Sequence, residues 1–217
     1  MQNIFDHYRI YGRKKGKKKI KSLYKNLYKN YLFDLNTNLK NKKIIIDIGS
    51  GNGENSLYLS QKFPDSLIIA SEIYEDGVVN LCNQLSINKI DNVKIFKQSV
   101  LLLIDNMKSN ITIDQIWILF PDPWPKKKHH KRRLINEIFL KKIHRILKTG
   151  GRIYIATDSI SYLVSILYLI YNTKLYKLIN DRPHKWQYSK ENIPKTRYYE
   201  KAINNERKSL ILVFRKI

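Results

Sequence analysis

Short apolar runs alternate with longer amphipathic segments along most of the chain. The runs are rich in isoleucine, valine and aromatic residues, which is typical of buried strands. The segments between them place apolar residues near helical spacing, which predicts helices that bury one face. The predicted strands lie at 43–47, 67–71, 93–96, 115–120 and 152–157, and the predicted helices at 52–63, 74–85, 132–147 and 160–171.

The order of these elements predicts an α/β fold. Strands that alternate with helices form mostly parallel sheets. Two further apolar runs, at 176–179 and 210–214, predict a final strand pair. We therefore expect a mostly parallel sheet of seven strands.

Three segments have a less regular pattern. The segment 98–107 is expected to form a short helix or a loop. Gly150 and Gly151 are expected to end the helix at 132–147, because glycine commonly follows the last helical turn. The segment 182–206 is too polar for a core, so we expect a loop over the sheet edge.

A glycine-rich turn, Asp47-Ile-Gly-Ser-Gly-Asn-Gly53, follows the first predicted strand. A strand, such a turn and a helix begin a nucleotide-binding α/β fold, and Glu72 has the spacing of an acid that binds a ribose. Asp47 and Glu54 would repel a pyrophosphate. S-adenosylmethionine has no phosphate and carries a sulfonium and an ammonium. The alternatives are another nucleotide or a tight turn without a ligand, but with Asp47 and Glu72 in register we expect S-adenosylmethionine to be bound by Asp47, Gly49, Gly51, Gly53 and Glu72.

Residues 120–134 read Phe-Pro-Asp-Pro-Trp-Pro-Lys-Lys-Lys-His-His-Lys-Arg-Arg-Leu. Prolines at alternate positions prevent both helix and strand hydrogen bonds. We therefore expect Asp122 and Trp124 to be held in a fixed, extended loop just past a strand end, where parallel sheets bind ligands. A carboxylate for chemistry, a ring for stacking and cations for phosphate favour an enzyme that works on a nucleic-acid base.

Each part of this stretch also has a simpler interpretation. A run of charges is usually a solvated helix face, an Asp between prolines is usually a turn residue, and a loop Trp is usually a packing anchor. The adjacency of all three features at a predicted strand end favours a functional role.

The charge of the chain is strongly positive. Its 217 residues contain 41 Lys and Arg against 18 Asp and Glu, a net charge of +23, which favours nucleic acid or an anionic membrane surface as partner. No apolar run approaches the ~20 residues of a membrane span, and the polar N-terminal residues do not resemble a signal peptide. Cys82 is the only cysteine, which excludes a multi-thiolate metal site and fits the reducing cytoplasm. We expect a cytoplasmic protein that binds no metal.

The first 42 residues are basic and poor in acids. They predict an N-terminal arm, 1–42, that is either solvated or orders on RNA, with a possible short helix over 21–33. Residues 43–217 are long enough for one globular domain. The cations expected to contact nucleic-acid phosphates are Arg13, Lys127, Lys128, Lys131, Arg132 and Arg133.

Several of these stretches resemble one enzyme family. The stretch 120–134 resembles the signature of the tRNA (guanine-N7)-methyltransferases of the bacterial single-chain type, and 47–53 resembles their cofactor turn. Ala156-Thr-Asp158 and Thr196-Arg-Tyr-Tyr199 resemble two further motifs of that family, and Arg9-Ile-Tyr-Gly-Arg13 resembles its basic arm. The resemblance extends over nearly the whole chain, and its central motif is long and specific.

This resemblance implies a Rossmann-like, class I S-adenosylmethionine-dependent methyltransferase fold, with helices on both faces of a mostly parallel seven-stranded sheet. It implies methyl transfer from S-adenosylmethionine to N7 of guanine 46 in the variable loop of tRNA, with no obligate protein partner. Asp122 matches the position assigned to catalysis and cofactor contact. The positions that match substrate contacts are Lys126, Asp158, Thr196, Arg197, Tyr198 and Tyr199.

The chain departs from the family pattern at two positions. Ser99 stands where the family usually has Asp or Asn near the adenine, and a hydroxyl is a weaker acceptor than a carboxylate. Tyr199 stands where the substrate motif often has Glu, and Glu200 follows one residue later. We expect Ser99 to bind the cofactor, and the register at Tyr199 stays open.

Two other functions compete with this one. A base amino-methyltransferase also suits a Pro-Asp-Pro-Trp loop after the fourth strand, although methylation of an exocyclic amine must release a proton. A non-catalytic RNA-binding protein would retain the basic surface but would have no need for Asp47, Glu72, Asp122 and Asp158 at one sheet edge. Cofactor titration separates the last function from the others, and mapping of the methylated atom separates the two enzymes.

Overall fold

The structure, a computed structural model, describes residues 22–187 and 193–217, with side chains from residue 27 onward. The part of the predicted arm that includes Arg13 lies outside the described residues. The described chain divides into two compact units, and the division falls between Ile111 and Thr112.

The first unit contains three parallel strands in the order β3-β2-β1. The core isoleucines of β1 are buried along the whole strand, as expected for a parallel strand covered on both faces. Its elements are α1 (Ser22–Tyr31), β1 (Lys43–Ile48), α2 (Glu54–Lys62), β2 (Ser66–Ser71), α3 (Glu75–Ile87), β3 (Val93–Phe96) and α4 (Val100–Asn106).

The chain that follows helix α1 runs beside the edge strand β3. Leu32 forms a parallel bridge with Ile95, and the Phe33 N–H donates to the Ile95 carbonyl at 2.9 Å. The ring of Phe33 packs edge-on against Phe96, with ring centroids 6.4 Å apart. Unpaired edge strands invite aggregation, so this segment protects the sheet at that edge. The possible short helix over 21–33 is found at Ser22–Tyr31, and residues 32 and 33 belong instead to the segment beside β3.

The second unit contains four strands in the order β4-β5-β7-β6. Strands β4 and β5 are parallel, whereas β7 is antiparallel to both β5 and β6. Its elements are β4 (Ile113–Leu119), a 3-10 helix (Lys127–Arg132), α5 (Glu137–Ile146), β5 (Leu147–Thr157), α6 (Ile160–Thr173), β6 (Tyr176–Leu178), a second 3-10 helix (Pro183–Trp186), α7 (Arg197–Asn204) and β7 (Leu210–Lys216).

The helix predicted at 132–147 is shorter than expected. Its first residues belong instead to the 3-10 helix and to a connecting segment. Asn136 begins α5 because its side-chain oxygen accepts from the Phe139 N–H at 3.0 Å, as in a helix N-cap. The prediction was wrong because a run of cations and an apolar face can continue a helical pattern without a signal for its start.

The glycine pair after α5 does not end that helix. Helix α5 ends at Ile146, and Leu147 already pairs with Ile113 in the sheet. The pairing then shifts to Gln115 with Arg152, so the glycines lie in an irregular part of β5, and Gly150 has a φ of +77°. A left-handed glycine of this kind is typical of a β-bulge.

The segment 182–206 is not a simple loop. It contains helix α7, in which Ala202 is buried although most other side chains are exposed. Residues 188–192 lie outside the described part of the chain. The helix was missed because it buries too few apolar residues to produce a recognisable pattern.

Taken together, the strands form the mostly parallel, seven-stranded sheet that the sequence predicted. Within the described residues, every helix is too short or too polar to cross a membrane.

Candidate active site

The glycine-rich turn of the first unit has a left-handed backbone at each of its three glycines. The φ angles of Gly49, Gly51 and Gly53 are +70°, +56° and +93°. The turn is closed by the Gly53 N–H, which donates to the Ser50 carbonyl at 2.8 Å. Residues with a Cβ rarely adopt these angles, so the glycine pattern follows from the backbone path between β1 and α2.

Asp47 is buried at the carboxyl end of β1, with 2% of its surface exposed. Its carboxylate accepts from Asn55 Nδ2 at 2.9 Å and from Ser56 Oγ at 2.6 Å, both in the first turns of α2. Burial raises the pKa of Asp47 to about 6, although these two hydrogen bonds act in the opposite direction. The sequence contained Asn55 and Ser56 but gave no signal for this role.

Glu72 follows β2, and its carboxylate accepts hydrogen bonds from the glycine-rich turn and from the residues that follow it. One oxygen accepts from the Gly51 N–H at 2.8 Å, and the other accepts from the N–H groups of Ile73 and Tyr74, both at 2.7 Å. The side chain therefore orders the glycine-rich turn in addition to facing the sheet edge where a ribose was expected.

The turn has the space and the polar atoms to hold a ligand. A Cβ placed on Gly49 would meet no atom within 4 Å. Ser50 Oγ and Asn55 Oδ1 are buried and have no hydrogen-bond partner among the described residues. Buried polar atoms are rarely left unpaired in native proteins, so these groups fit a bound molecule with its own polar atoms. The carboxylates nearby fit a cationic ligand such as S-adenosylmethionine better than a pyrophosphate.

Helix α3 packs closely against the turn, which the sequence did not indicate. A Cβ on Gly77 would lie 2.4 Å from the Gly51 carbonyl oxygen, and one on Gly53 would lie 2.4 Å from Leu81 Cδ1. Asn80 Nδ2 also donates to Asn52 Oδ1 at 2.9 Å. These contacts require the glycines and fix the turn from the α3 side.

Ser99 lies just after β3 and caps helix α4. Its Oγ accepts from the Leu101 N–H at 3.3 Å. The first unit therefore places Asp47 at the carboxyl end of one parallel strand and Glu72 and Ser99 just after the two neighbouring strands, at one edge of the sheet. This is the arrangement that the sequence predicted for the cofactor residues.

In the second unit, the loop 121–125 follows β4 and contains Asp122. The strand leads into it through Phe120, whose N–H donates to the Ala156 carbonyl at 2.8 Å. Phe120 and Trp124 have left-handed φ angles of +52° and +43°, so the loop is bent at both positions. The predicted extended conformation was therefore wrong, because prolines restrict φ only at their own positions and bias the preceding residue.

Asp122 is exposed to solvent, yet the protein around it raises the pKa of its carboxyl by desolvation. Neither a hydrogen bond nor an ion pair occupies the carboxylate within the described part of the chain. It is therefore available to a ligand.

Trp124 packs within the basic cluster rather than in the core. The guanidinium carbon of Arg132 lies 4.9 Å from the centre of its ring, and His129 meets the ring edge-on with centroids 5.8 Å apart. The ring of Trp124 therefore packs against two neighbouring side chains, Arg132 and His129.

The basic cluster forms the 3-10 helix Lys127–Arg132, and its lysines are exposed. Lys126 precedes this helix and is also exposed. Arg133 differs, because only 4% of its surface is exposed and its guanidinium is hydrogen-bonded within the protein. The prediction that Arg133 binds a phosphate is therefore corrected, since its charged group faces the interior of the unit.

Asp158 follows β5, the neighbour of β4 in the sheet. Its Oδ2 forms an ion pair with an Arg207 nitrogen at 3.1 Å. The Arg207 N–H donates to the Ala202 carbonyl, which joins this arginine to the end of α7. The sequence did not single out Arg207, because the contact depends on how the chain returns after α7.

The motif Thr196–Tyr199 forms the start of helix α7. Thr196 is buried, and its Oγ1 accepts from the Tyr199 N–H at 3.2 Å as an N-cap. Arg197 and Tyr198 are exposed, and the Arg197 guanidinium lies 5.3 Å from the Tyr198 ring centre. Glu200 lies in the first turn of this helix, on the same face as Thr196 and Arg197. It therefore does not occupy the position of Tyr199, where the family motif often has Glu.

Comparison with known proteins identifies the family of this chain. The family model Methyltransf_4, described as "Putative methyltransferase", matches residues 41–212. A tRNA (guanine-N(7)-)-methyltransferase of Buchnera aphidicola subsp. Acyrthosiphon pisum (strain Tuc7) is 39% identical over 139 residues, which are 64% of this chain and 58% of that protein. The protein of the same name from Buchnera aphidicola subsp. Schizaphis graminum (strain Sg) is 33% identical over 172 residues, which are 79% of this chain and 72% of that protein. The match thus spans less than two thirds of the first relative.

The fold also has counterparts among solved structures. An rRNA methylase from Streptococcus thermophilus matches with a TM-score of 0.53 and 16% identity, over 93% of this chain and 99% of that chain. The sheet and the glycine-rich turn define the class, that of the Rossmann-like, S-adenosylmethionine-dependent methyltransferases. Within this class, the chain belongs to the tRNA (guanine-N7)-methyltransferase family.

Proposed function

We propose that this chain transfers a methyl group from S-adenosylmethionine to N7 of guanine 46 in the variable loop of tRNA. The observation that carries the proposal is the available Asp122 carboxylate on a proline-rich loop that leads directly into an exposed cluster of cations. A carboxylate beside phosphate-binding cations suits a base that is presented on an RNA backbone. The family relatives named tRNA (guanine-N(7)-)-methyltransferase support the same reaction.

The first unit is proposed to bind the cofactor. Glu72 binds a ribose hydroxyl through the lone pair of its Oε2 that the three backbone contacts leave available. Asp47 supplies negative charge near the cationic part of the cofactor. The left-handed glycines 49, 51 and 53 let the backbone approach the ligand, and Ser99 lies near the adenine. When bound, S-adenosylmethionine supplies a methyl group on a sulfonium, which is a strong electrophile.

Asp122 is proposed as the catalytic residue, with contacts to both guanine and the cofactor. Guanine N7 has a lone pair and no proton, so the reaction needs no general base. The lone pair forms the new N–C bond as the S–C bond breaks, and positive charge moves onto the purine. A fixed carboxylate stabilises that charge and accepts from base N–H groups, which is catalysis by alignment and electrostatics.

The remaining predicted residues are proposed to bind tRNA. Lys126, Asp158 and the exposed start of α7 are assigned to the nucleotide substrate. Lysines and arginines of the basic stretches are assigned to phosphates, which set affinity and register without reading the base. These phosphate contacts are Arg13, Lys127, Lys128, Lys131 and Arg132.

The protein is proposed to work in the cytoplasm, where its tRNA substrate is found, and without an obligate protein partner. A single cysteine and the high positive charge are consistent with this location and with an RNA partner.

The experiment that tests the function is an incubation of the protein with unmodified tRNA and methyl-labelled cofactor, followed by digestion to nucleosides. We expect the label in 7-methylguanosine, and its loss when guanine 46 of the transcript is replaced by adenine. Label in an N-methylated exocyclic amine would establish the amino-methyltransferase instead. Binding of tRNA without cofactor binding or label would establish a non-catalytic RNA-binding protein.

A further inference from the structure

Arg133, the residue directly after the basic cluster Lys127–Arg132, is buried in the protein and not exposed on its surface. Arg133 is 4% exposed, whereas Lys127, Lys128 and Lys131 in the same stretch are exposed. A buried charge is costly unless its hydrogen bonds are satisfied. The hydrogen-bond partners of the Arg133 guanidinium therefore indicate the role of this residue.

Arg133 joins two segments of the second unit. Its Nε donates to the Pro123 carbonyl at 2.9 Å, in the loop that contains Asp122. The other two guanidinium nitrogens donate to helix α6, one to Ser161 Oγ at 3.1 Å and one to the Ser161 carbonyl at 3.4 Å. The guanidinium carbon also lies 4.8 Å from the centre of the Tyr162 ring.

The first turn of α6 holds the chain on the other side of Arg133 as well. Tyr162 is fully buried, and its hydroxyl oxygen accepts from the Ile135 N–H at 3.0 Å. The pair Ser161 and Tyr162 thus fastens both Arg133 and the residues just after it. The first turn of α6 is therefore the element to which the loop is connected by hydrogen bonds through Arg133.

The loop needs such support from outside. Three of its five residues, Pro121, Pro123 and Pro125, have no N–H group, so the loop lacks most of the donors that could hold it in place. The Pro123 carbonyl belongs to the residue directly after Asp122. A hydrogen bond at that carbonyl therefore fixes the backbone beside the carboxylate.

We propose that Arg133 is a positioning residue for methyl transfer: it sets the place of Asp122 through the Pro123 carbonyl and does not bind tRNA phosphate. Arginine is required because a planar guanidinium donates in three directions while its face lies on an aromatic ring. A lysine at this position has a single ammonium nitrogen, so it cannot reproduce the separate contacts that Nε and the two terminal nitrogens of the guanidinium make. This inference rests on the proposed function of Asp122.

The test compares Arg133→Lys and Arg133→Gln with two other single variants in the full chain. Lys131→Gln removes a cation assigned to phosphate. Arg152→Gln removes an exposed arginine of β5 that has no assigned role, so it controls for the loss of charge. Two quantities are measured for each: the salt dependence of tRNA binding, and the single-turnover rate of N7 methylation at saturating tRNA and cofactor.

We expect Arg133→Lys to lower the single-turnover rate at least about tenfold, because small misplacements of a catalytic group are costly. Arg133→Gln removes the charge and should nevertheless keep the wild-type salt slope, because this guanidinium is not assigned to phosphate. Lys131→Gln should lower the salt slope by about one unit, and Arg152→Gln should keep the wild-type rate. Rates are divided by the fraction of chains that bind cofactor, so that partial unfolding does not imitate a positioning defect.

Ser161→Ala provides a second test that leaves every charge in place. It removes one acceptor of Arg133 and should lower the rate in the same direction by a smaller factor. A wild-type rate in both Arg133→Lys and Ser161→Ala would overturn the proposal, and so would a reduced salt slope in Arg133→Gln. Absence of N7 methylation by the wild-type protein would instead refute the proposed function, so the two failures are distinguishable.

Discussion

At the scale of single residues, the two aspartates of the candidate site lie in different surroundings. Asp47 is buried and receives two side-chain hydrogen bonds, whereas Asp122 is exposed on a bent loop. The pKa of each carboxyl is nevertheless raised, because the protein around it disfavours the charged form. The consequences differ, since one charge affects folding and the other is proposed to act in the reaction.

Asp122→Asn should lower the single-turnover rate by a factor of order 10², as expected when a preorganised charge is lost while the shape is kept. In the wild type, the rate should rise with pH as the carboxylate forms, at a pH above the ordinary Asp value of ~3.9, and then stay level through neutrality. Quenched-flow methylation between pH 4.5 and 8 measures both effects. Asp91→Asn, on the surface, is the matched control. A clear ionisation near ~7 would indicate a general base such as His129 or His130.

Because of Asp47, the free energy of unfolding of the ligand-free protein should decrease as pH rises. Its pKa is about 6 in the folded state and ~3.9 when unfolded, so the folded state binds more protons between these values. The contribution of this residue is therefore greatest below pH ~4 and is lost as pH rises through about 6, by an amount on the order of 2–3 kcal/mol. Urea unfolding at pH 5 and pH 7 should show a smaller decrease in Asp47→Asn than in the wild type. Equal decreases in both proteins would contradict this assignment.

At the scale of elements, the cofactor turn depends on helix α3 as much as on its own glycines. Gly77 allows α3 to contact the Gly51 carbonyl, and Asn80 is hydrogen-bonded to Asn52 in the turn. The sequence identified the turn because its glycines follow a strand at a known spacing. It did not identify Gly77, because a glycine in a helix has no spacing that reveals the element packed against it.

Gly77→Ala should destabilise the protein by about 1–3 kcal/mol and weaken cofactor binding, because the added methyl overlaps the Gly51 carbonyl. Helix propensity alone predicts the opposite change, a gain of about 1 kcal/mol. Urea unfolding and calorimetric titration with S-adenosylmethionine measure the two effects. Gln84→Ala, at an exposed position of the same helix, should change neither. A more stable Gly77→Ala protein with unchanged cofactor affinity would show that the turn moves freely away from α3.

At the scale of the whole molecule, positive charge dominates, with a net charge of +23. Part of it lies in the exposed 3-10 helix that follows the Asp122 loop. Concentration of charge beside the loop that contains Asp122 is what a phosphate-binding surface requires, whereas a generally basic protein has its cations spread over the surface. Salt dependence of binding measures that difference, since each phosphate that the protein neutralises releases counterions.

Replacement of Lys127, Lys128 and Arg132 by alanine should flatten the salt dependence of tRNA binding, by up to about one unit of slope for each phosphate that is no longer neutralised. The affinity for S-adenosylmethionine should stay the same, because these side chains are proposed to contact RNA and not the cofactor. Filter binding over a series of salt concentrations provides the measurement. The control removes three exposed lysines elsewhere, Lys42, Lys108 and Lys177. If both triple variants show the same slope, the 3-10 helix contributes only through overall charge.

The sequence by itself determined the class of fold and most of the candidate residues. Strand periodicity is local, and a glycine turn after a strand is constrained by backbone geometry, so both can be recognised without knowledge of tertiary packing. The loop around Asp122 was also recognisable, because its prolines and cations are adjacent in the chain. The ends of elements were less well predicted: the cap at Asn136 and helix α7 depend on hydrogen bonds that the hydrophobic pattern does not indicate.

Only the tertiary structure decided what each charged group does. Arg133 reads as one more cation of a basic run, yet it is buried against Ser161, 28 residues later in the chain. Asp158 reads as a free carboxylate, yet Arg207 pairs with it. Burial and partner choice arise from packing between segments far apart in sequence, and it is burial that separates a structural charge from a binding one.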